Sequence, residues 1–405
     1  MGKLRKGNMG LVKELNRSIV IQQIRKYGPV SRTDLSARTE LGLSTITYIV
    51  DELLAENLIR EVGTASSSSG RRRVLLQFNS GSYLIVGVKI EEHCIEFCCS
   101  DLSGAIMEKS KMDFSTLPTE SDIVNELMIQ SIRKLTEPFL RKGMECLGIG
   151  IAGSGLIDKA GLKVVSSPFL SWENLEFTKI REAFGVPVYL DNDANVFALA
   201  ENWVGVGKNY SSYIVITVGP GIGSGIVMDH LLYTGECGNA GEFGHTVIDR
   251  NGRECYCGQR GCLELYSSDK YILSEAHQEV IYGNGSTRLR HLEVITPEDI
   301  YRLAGEGDDY SRQILKAQGV NLGIGIRNLI NLFNPQAIIL GGEGLGGGEY
   351  LVEGIQSQLG NSKFRQRFAF HLSGLGEDAW LIGACALVES VVFKAPIYRN
   401  IYVNN

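Results

Sequence analysis

Gly241-Glu242-Phe243-Gly244-His245 and, ten residues on, Cys255-Tyr256-Cys257-Gly258-Gln259-Arg260-Gly261-Cys262 hold the densest chemistry of this 405-residue chain. One imidazole and three thiols at these spacings supply four donors, the number a structural zinc ion takes in a tetrahedron that retains no water. His245, Cys255, Cys257 and Cys262 are therefore candidate zinc ligands. Gly258 and Gly261 tolerate dihedrals that other residues avoid, so the chain can turn tightly enough for Cys257 and Cys262 to face one ion. Ordinary core thiols sit among apolar side chains rather than in a Gly-rich polar loop. The other six cysteines, Cys94, Cys98, Cys99, Cys146, Cys237 and Cys385, lie in apolar runs and read as core thiols. An odd total of nine, with no secretory segment ahead of it, argues for a reducing cytoplasm and against a disulfide framework.

Working outward, the length and an apolar content of 44% allow two or three domains with substantial cores. The first residues carry Lys3, Arg5 and Lys6 with no long apolar run behind them, which predicts neither a signal peptide nor a membrane span. Charge is unevenly placed. Residues 1–80 contain 13 Lys and Arg against 7 Asp and Glu, a net +6 in a chain whose total is −6, so residues 81–405 carry −12. A basic end on an acidic body points to nucleic acid as a partner of that end.

In the basic end, Leu11, Leu15, Ile19, Ile21 and Ile24 recur at near-helical spacing up to Tyr27-Gly28-Pro29, where Gly and Pro stop a helix. Ser31 then caps a short helix carrying Leu35 and Ala37, with Asp34 at the capping-box position, and Ser31 and Arg32 are candidate DNA contacts. After the turn at Leu41-Gly42-Leu43, Ser44 is expected to cap a third helix with Ile46, Ile49, Val50, Leu53 and Leu54 inward. This is a helix-turn-helix pattern, and its second helix would present Ser44, Thr45, Thr47 and Tyr48 to the major groove. Two short strands flank Ser66 to Gly70 and Arg71-Arg72-Arg73, which together read as a wing whose three arginines neutralise phosphates. The alternative for this stretch is a solvated linker.

From residue 84 strands and helices alternate, as in layered α/β folds. Strands are expected at Leu84 to Ile90, Cys94 to Cys99, Leu147 to Ile151, Pro187 to Leu190, Ile214 to Val218 and Ala337 to Leu340, with a helix over 120–141. Strand ends in such sheets are where ligands bind, and here they carry Ala152-Gly153-Ser154-Gly155 and Asp191-Asn192-Asp193. Asp193, Glu242 and Glu264 suit a polyhydroxylated ligand, because carboxylates accept from paired hydroxyls and discriminate well when buried. The competing reading makes Asp191 and Asp193 caps of the helix from Ala194 to Trp203. Gly219 to Gly225 is a Gly-rich turn that a β-hairpin explains equally well, and Gly344 to Gly348 reads as a mobile loop.

These stretches together resemble the ROK family, which groups sugar-responsive transcriptional repressors with bacterial sugar kinases on an actin-like two-lobed α/β fold. The resemblance covers nearly the whole chain and is strongest at Gly219 to Gly225, Gly235 to His245 and Cys255 to Glu264. It implies a winged helix-turn-helix domain at 1–80 and a ROK body at 81–405. Within the body, lobe one would take about 81–194 with the C-terminal helix 383–395, and lobe two about 195–382. It also implies that Gly153, Asn192, Asp193, Glu242, His245 and Glu264 line a monosaccharide site, His245 serving zinc as well. The matching repressors respond to xylose, glucose or N-acetylglucosamine.

Departures from the family's kinases decide between its branches. Their first phosphate loop, of Asp-x-Gly-Gly-Thr type, is replaced by Lys89-Ile90-Glu91-Glu92-His93, and Pro220 removes an amide donor from the second. Phosphoryl transfer rests on positioned phosphates and metal, so the expectation is no enzyme. The sequence thus reads as a cytoplasmic, sugar-responsive repressor, a homodimer or dimer of dimers that leaves operator DNA when a monosaccharide binds. Its rivals are a sugar kinase with a DNA-binding arm and a repressor governed by a protein partner.

Overall fold

The computed structural model describes residues 9–65, 72–236, 238–360 and 367–393. Arg71, the serine run 66–69 and Cys237 lie outside them. In chain order the elements are α1 (Met9–Tyr27), β1 (Val30–Ser31), α2 (Arg32–Thr39), α3 (Leu43–Ala55), β2 (Ile59–Ala65), β3 (Arg73–Phe78), β4 (Tyr83–Ile90), β5 (Cys94–Ser100), β6 (Ile106–Asp113), α4 (Ser121–Leu140), β7 (Glu145–Gly153), β8 (Leu156–Asp158), β9 (Lys163–Ser167), β10 (Trp172–Glu176), α5 (Thr178–Phe184) and β11 (Val188–Asn192). They continue as α6 (Asp193–Trp203), β12 (Tyr213–Val218), β13 (Ile222–Met228), β14 (Leu231–Tyr233), α7 (Asp269–Tyr282), α8 (Pro297–Gly305), α9 (Asp309–Phe333), β15 (Ala337–Gly341), α10 (Gly348–Leu359), β16 (Ala369–Leu372) and α11 (Ala379–Val392).

The chain divides into two compact units, one of residues 1–151, 158–190 and 384–405, the other of residues 152–157 and 191–383. In the first unit, α1 to α3 pack beside a three-stranded sheet of order β1-β3-β2. The buried stripe of α1 is Val20, Ile21 and Ile24, with Ile19 at its margin. Ser31 closes a reciprocal capping box with Asp34 and so starts α2. The start of α3 differs from expectation. Gly42, not Ser44, is the N-cap residue, and its carbonyl already accepts from the Ile46 amide at 3.0 Å, so Ser44 sits exposed in the first turn.

The larger sheet of this unit runs β11-β7-β4-β5-β6, with α4 against β4, β5 and β6. β4 is buried along almost its whole length, which explains its unbroken apolar run. On β7, a Cβ at Gly150 would overlap the Ala384 carbonyl, so glycine is what lets the backbone of α11 lie directly on the strand. The last turn of α11 also meets α1 and β3. Arg25 pairs with Glu389 and lies over the rings of Phe78 and Phe393, and Ser18 donates to the Phe393 carbonyl. These contacts group residues 1–80 with the first lobe rather than apart from it.

The second unit has a sheet of order β14-β13-β12-β15-β16 in which β12 and β15 pair in parallel. β12 is apolar on both faces because both are covered. Ile214, Ile216 and Val218 face a core with Leu322 and Ile326 of α9 and Leu351 and Ile355 of α10, whereas Tyr213 and Val215 pack with Phe197 of α6 and Trp380. The Gly-rich stretch is split. Gly219 to Gly221 form the hairpin turn, and Ile222 onward is strand paired to β12. The loop expected at Gly344 to Gly348 is instead a short 3-10 helix, Glu343–Gly347, that runs into α10, with Gly344 and Gly347 buried.

Candidate functional site

The second unit gathers most of the polar residues singled out above. Gly241 turns the chain at φ +99°, where an added Cβ would overlap the Ser224 carbonyl, and the Ser224 hydroxyl donates to the Gly241 carbonyl at 2.9 Å. Glu242 follows, then a 3-10 turn Phe243–His245 whose Phe243 is anchored in the core beside Leu263. The chain returns through bridges Val247↔Cys262 and Glu254↔Arg260, so Cys255, Cys257 and Cys262 come back over His245.

His245 Nδ1 is 3.7 Å from Cys255 Sγ, Cys257 Sγ is 3.6 Å from Cys262 Sγ, and the four donor atoms all lie within 4.8 Å of one another. Zn–S bonds of about 2.3 Å in a tetrahedron place sulfurs about 3.8 Å apart. The cluster is thus consistent with a structural zinc site. Burial, followed by hydrogen bonding to Cys257 and Cys255, pushes the Cys262 thiol up to about 12, so a cation entering here displaces a proton.

The other face of His245 looks elsewhere. Its Nε2 lies 3.2 Å from the Tyr256 hydroxyl, and the two rings meet edge to face at 5.1 Å and 86°. The Glu264 carboxylate is an electrostatic neighbour of the same hydroxyl and, after burial, raises it. Glu264 is buried at the start of a 3-10 turn, and its Oε2 accepts from the Ile222 amide at 3.1 Å. Desolvation raises the Glu242 carboxyl, with His245 opposing and Glu264 adding to the rise, which places the three as electrostatic neighbours.

β13 joins this group to the N-terminus of α6. A Cβ at Gly223 would come within 2.9 Å of the Ala194 Cβ, and the next turn of α6 lies against Gly225. The cap of α6 is Asn192, whose Oδ1 accepts from the Ala194 amide at 3.0 Å and whose Nδ2 donates to the Gly155 carbonyl at 3.3 Å. Asp193 Oδ1 also accepts from that amide, at 2.7 Å. Asp191 does not cap. It is buried and accepts from Asn195 Nδ2 at 3.0 Å and the Asn192 amide at 2.8 Å. Gly153 ends β7, two residues before Gly155.

The turn Gly219 to Gly221 is lined by carboxylates. Added Cβ atoms would lie 2.8 Å from Glu343 Oε2 at Gly219 and 3.0 Å from Glu264 Oε2 at Gly221. The Asp269 amide donates to the Gly219 carbonyl at 2.8 Å, and the Tyr301 hydroxyl donates to the Asp269 carboxyl at 2.7 Å. Burial, then repulsion from Glu343 and Glu298 against the Tyr301 bond, pushes Asp269 up to about 6. In the first unit Lys89 is buried and paired with Glu91, while Glu92 and His93 are exposed.

In the winged module, the outward face of α3 is Leu43 (50% exposed), Ser44 and Tyr48 (53% exposed). The helix has no Lys or Arg, and its two carboxylates are each covered by a cation from another helix. Arg32 holds Asp51 at 3.0 Å, and Lys13 holds Glu52 at 2.7 Å and the Tyr48 hydroxyl at 2.8 Å. The Thr47 hydroxyl is turned back onto the Leu43 carbonyl at 2.8 Å, and Thr45 is half-buried. Ser31, expected to touch DNA, is buried within its capping box, which corrects that expectation. Arg72 and Arg73 are exposed, Arg73 lying 3.5 Å from Asp34. Sequence reasoning missed Leu43, Tyr256, Asp269 and Glu343. Only Tyr256 carried a local signal, its place between two candidate ligands.

The ROK family profile matches residues 85–391. The chain is 32% identical over 401 residues to the xylose repressor of Caldicellulosiruptor bescii, covering 97% of this chain and all of that one. Among solved structures it is similar to a ROK family transcriptional regulator described as a homologue of the E. coli MLC protein, with TM-score 0.85 and 28% identity over 95% of this chain and 98% of the other. A ROK glucokinase from Streptomyces griseus, in complex with glucose and AMPPNP, is similar over 76% of this chain and 99% of its own, with TM-score 0.64 and 27% identity. The kinase likeness leaves out about the share of the chain that the winged module occupies, and the regulator likeness includes it.

Proposed function

The chain belongs to the ROK family, and on that premise we propose that it is a cytoplasmic transcriptional repressor that binds operator DNA as a homodimer and releases it when a neutral monosaccharide of the xylose or glucose class binds. The observation that supports this reading best is the set of carboxylates at the Gly219 to Gly221 turn. A nucleotide's phosphates need amide donors and metal there. They would meet Glu343 and Glu264 instead, with no amide at Pro220. At an effective dielectric near 20, one such charge about 4 Å from a phosphate costs about 4 kcal/mol.

Glu242, His245, Glu264, Asn192, Asp193 and Gly153 form the proposed sugar site, with the carboxylates as acceptors for paired hydroxyls. Zinc held by His245, Cys255, Cys257 and Cys262 would fix the loop and the imidazole, leaving Nε2 toward the ligand. On the DNA side, Leu43, Ser44 and Tyr48 of α3 would meet base edges, and Arg72 and Arg73 with Arg71 would meet phosphates. Release requires the sugar to bind the DNA-incompetent state more tightly, since equal affinity shifts nothing.

Fluorescence anisotropy of the protein on the DNA upstream of its own gene, at fixed salt, tests this against D-xylose, D-glucose, N-acetylglucosamine and their phosphates. Release by one of the neutral sugars is the expected result. Stable ADP production with any of them, at about 1 s⁻¹ or faster, would instead establish the kinase reading.

A further inference from the structure

Tyr256 sits between two of the four clustered donors, yet its side chain leaves the cluster and reaches the opposite face of His245. Its hydroxyl lies 3.2 Å from Nε2 with the Glu264 carboxylate as an electrostatic neighbour, while the side chain as a whole is 58% exposed. With Nδ1 turned to Cys255, a cation there leaves the ring proton on Nε2, which makes Nε2 a donor. The phenol then accepts from Nε2. A hydroxyl that accepts from this nitrogen occupies the position a sugar hydroxyl would take on the same imidazole.

We propose that Tyr256 is an internal stand-in for the effector, its phenolic hydroxyl holding a ligand-hydroxyl position of the proposed sugar site until a sugar displaces it. The inference rests on the sugar-binding reading and adds a gate to it. The anchors on either side are fixed, since Cys255 and Cys257 belong to the cluster and Gly258 turns at φ +87° immediately after. The ring itself is exposed, so rotation of the side chain toward solvent opens the position without disturbing core packing. Apparent affinity then equals the intrinsic affinity multiplied by the fraction of molecules with the tyrosine turned out.

The test compares the full-length, zinc-loaded protein with Tyr256→Phe and Tyr256→Ala by titration calorimetry and stopped-flow, using D-xylose, D-glucose and N-acetylglucosamine as probes. Zinc content measured on each preparation confirms an intact cluster. Tyr256→Phe keeps the ring and removes the competing hydroxyl, so the sugar that binds should bind about tenfold more tightly, the worth of one hydrogen bond. The gain should appear in the association rate with dissociation little changed. Affinity equal to or below that of the unaltered protein in both variants would overturn the gate while leaving the sugar site standing. Absence of binding by any of the three sugars to any of the three proteins would overturn both.

Discussion

Asp269→Asn is expected to stabilise the protein above neutral pH and to do nothing, or slight harm, in acid. Asp269 begins α7 with only 7% of its surface exposed, and burial with the neighbouring Glu343 and Glu298 pushes its carboxyl from the ordinary 3.8 up to about 6. A raised carboxyl means that the folded state holds the proton more tightly than the unfolded one. The group therefore favours folding fully below about pH 4, and that contribution is lost as pH rises through about 6. Holding a carboxyl that far above its ordinary range corresponds to about 3 kcal/mol. Asparagine keeps an acceptor for the Tyr301 hydroxyl and the amide bond to the Gly219 carbonyl, and loses only the charge and about 0.5 kcal/mol of attraction to the helix N-terminus. The net gain near pH 7.5 is about 2 kcal/mol. For a unit of this size that raises the melting transition by roughly 4–8 °C. Calorimetry of the two proteins at about pH 4.5, 6 and 7.5 reads the difference, and hydrogen exchange over 269–282 assigns it to α7. Equal pH slopes, or a less stable variant near pH 7.5, would refute the claim that a buried, charged Asp269 is tolerated at a cost.

Cys257→Ser should lose bound zinc, measured by mass spectrometry of the native protein, and with it the sugar response, because the Glu242 to His245 segment would lose its tether; full sugar affinity without metal would contradict this. Gly150→Ala puts a methyl into the Ala384 carbonyl and should cost about 3 kcal/mol in denaturant unfolding, since the opposing atom is backbone and cannot yield cheaply. Replacing Arg72 and Arg73 by Ala should flatten the salt dependence of DNA binding by about 2 in the log–log slope. An unchanged slope would place the wing away from phosphate.

What could be read in advance depended on whether the cause was local. The capping box of Ser31 and Asp34 lies within four residues, and the unbroken apolar runs of β4 and β12 report coverage on both faces, so each was legible. The start of α3 was not, because a carbonyl of Gly42 competes with a serine that looks like a better cap. β1 is a two-residue strand defined only by its pairing with β3, and β6 is largely exposed, so neither leaves a pattern to find. The spacing of His245 and the three cysteines pointed to the cluster, since chelation needs only short loops. Asp269 and Glu343 reach the Gly219 turn from distant parts of the chain, and no spacing rule connects them to it.

The chemistry of the proposed site also bears on why a fold shared with kinases can bind without turning over. A carboxylate is a strong acceptor for a neutral hydroxyl, worth about 1.5–3 kcal/mol in a hydrogen bond, and a strong repellent of a polyphosphate. On the proposed reading Glu264 would play both parts, since it bonds the Ile222 amide at the mouth of the Gly219 turn and is an electrostatic neighbour of Tyr256. On the same reading, Glu343 beside the turn would repel a nucleotide while leaving Glu242, His245 and Glu264 available to hydroxyls. Binding energy that a kinase would direct to the transition state then remains as ground-state binding. Ground-state binding is the form in which it can bias one conformation over another.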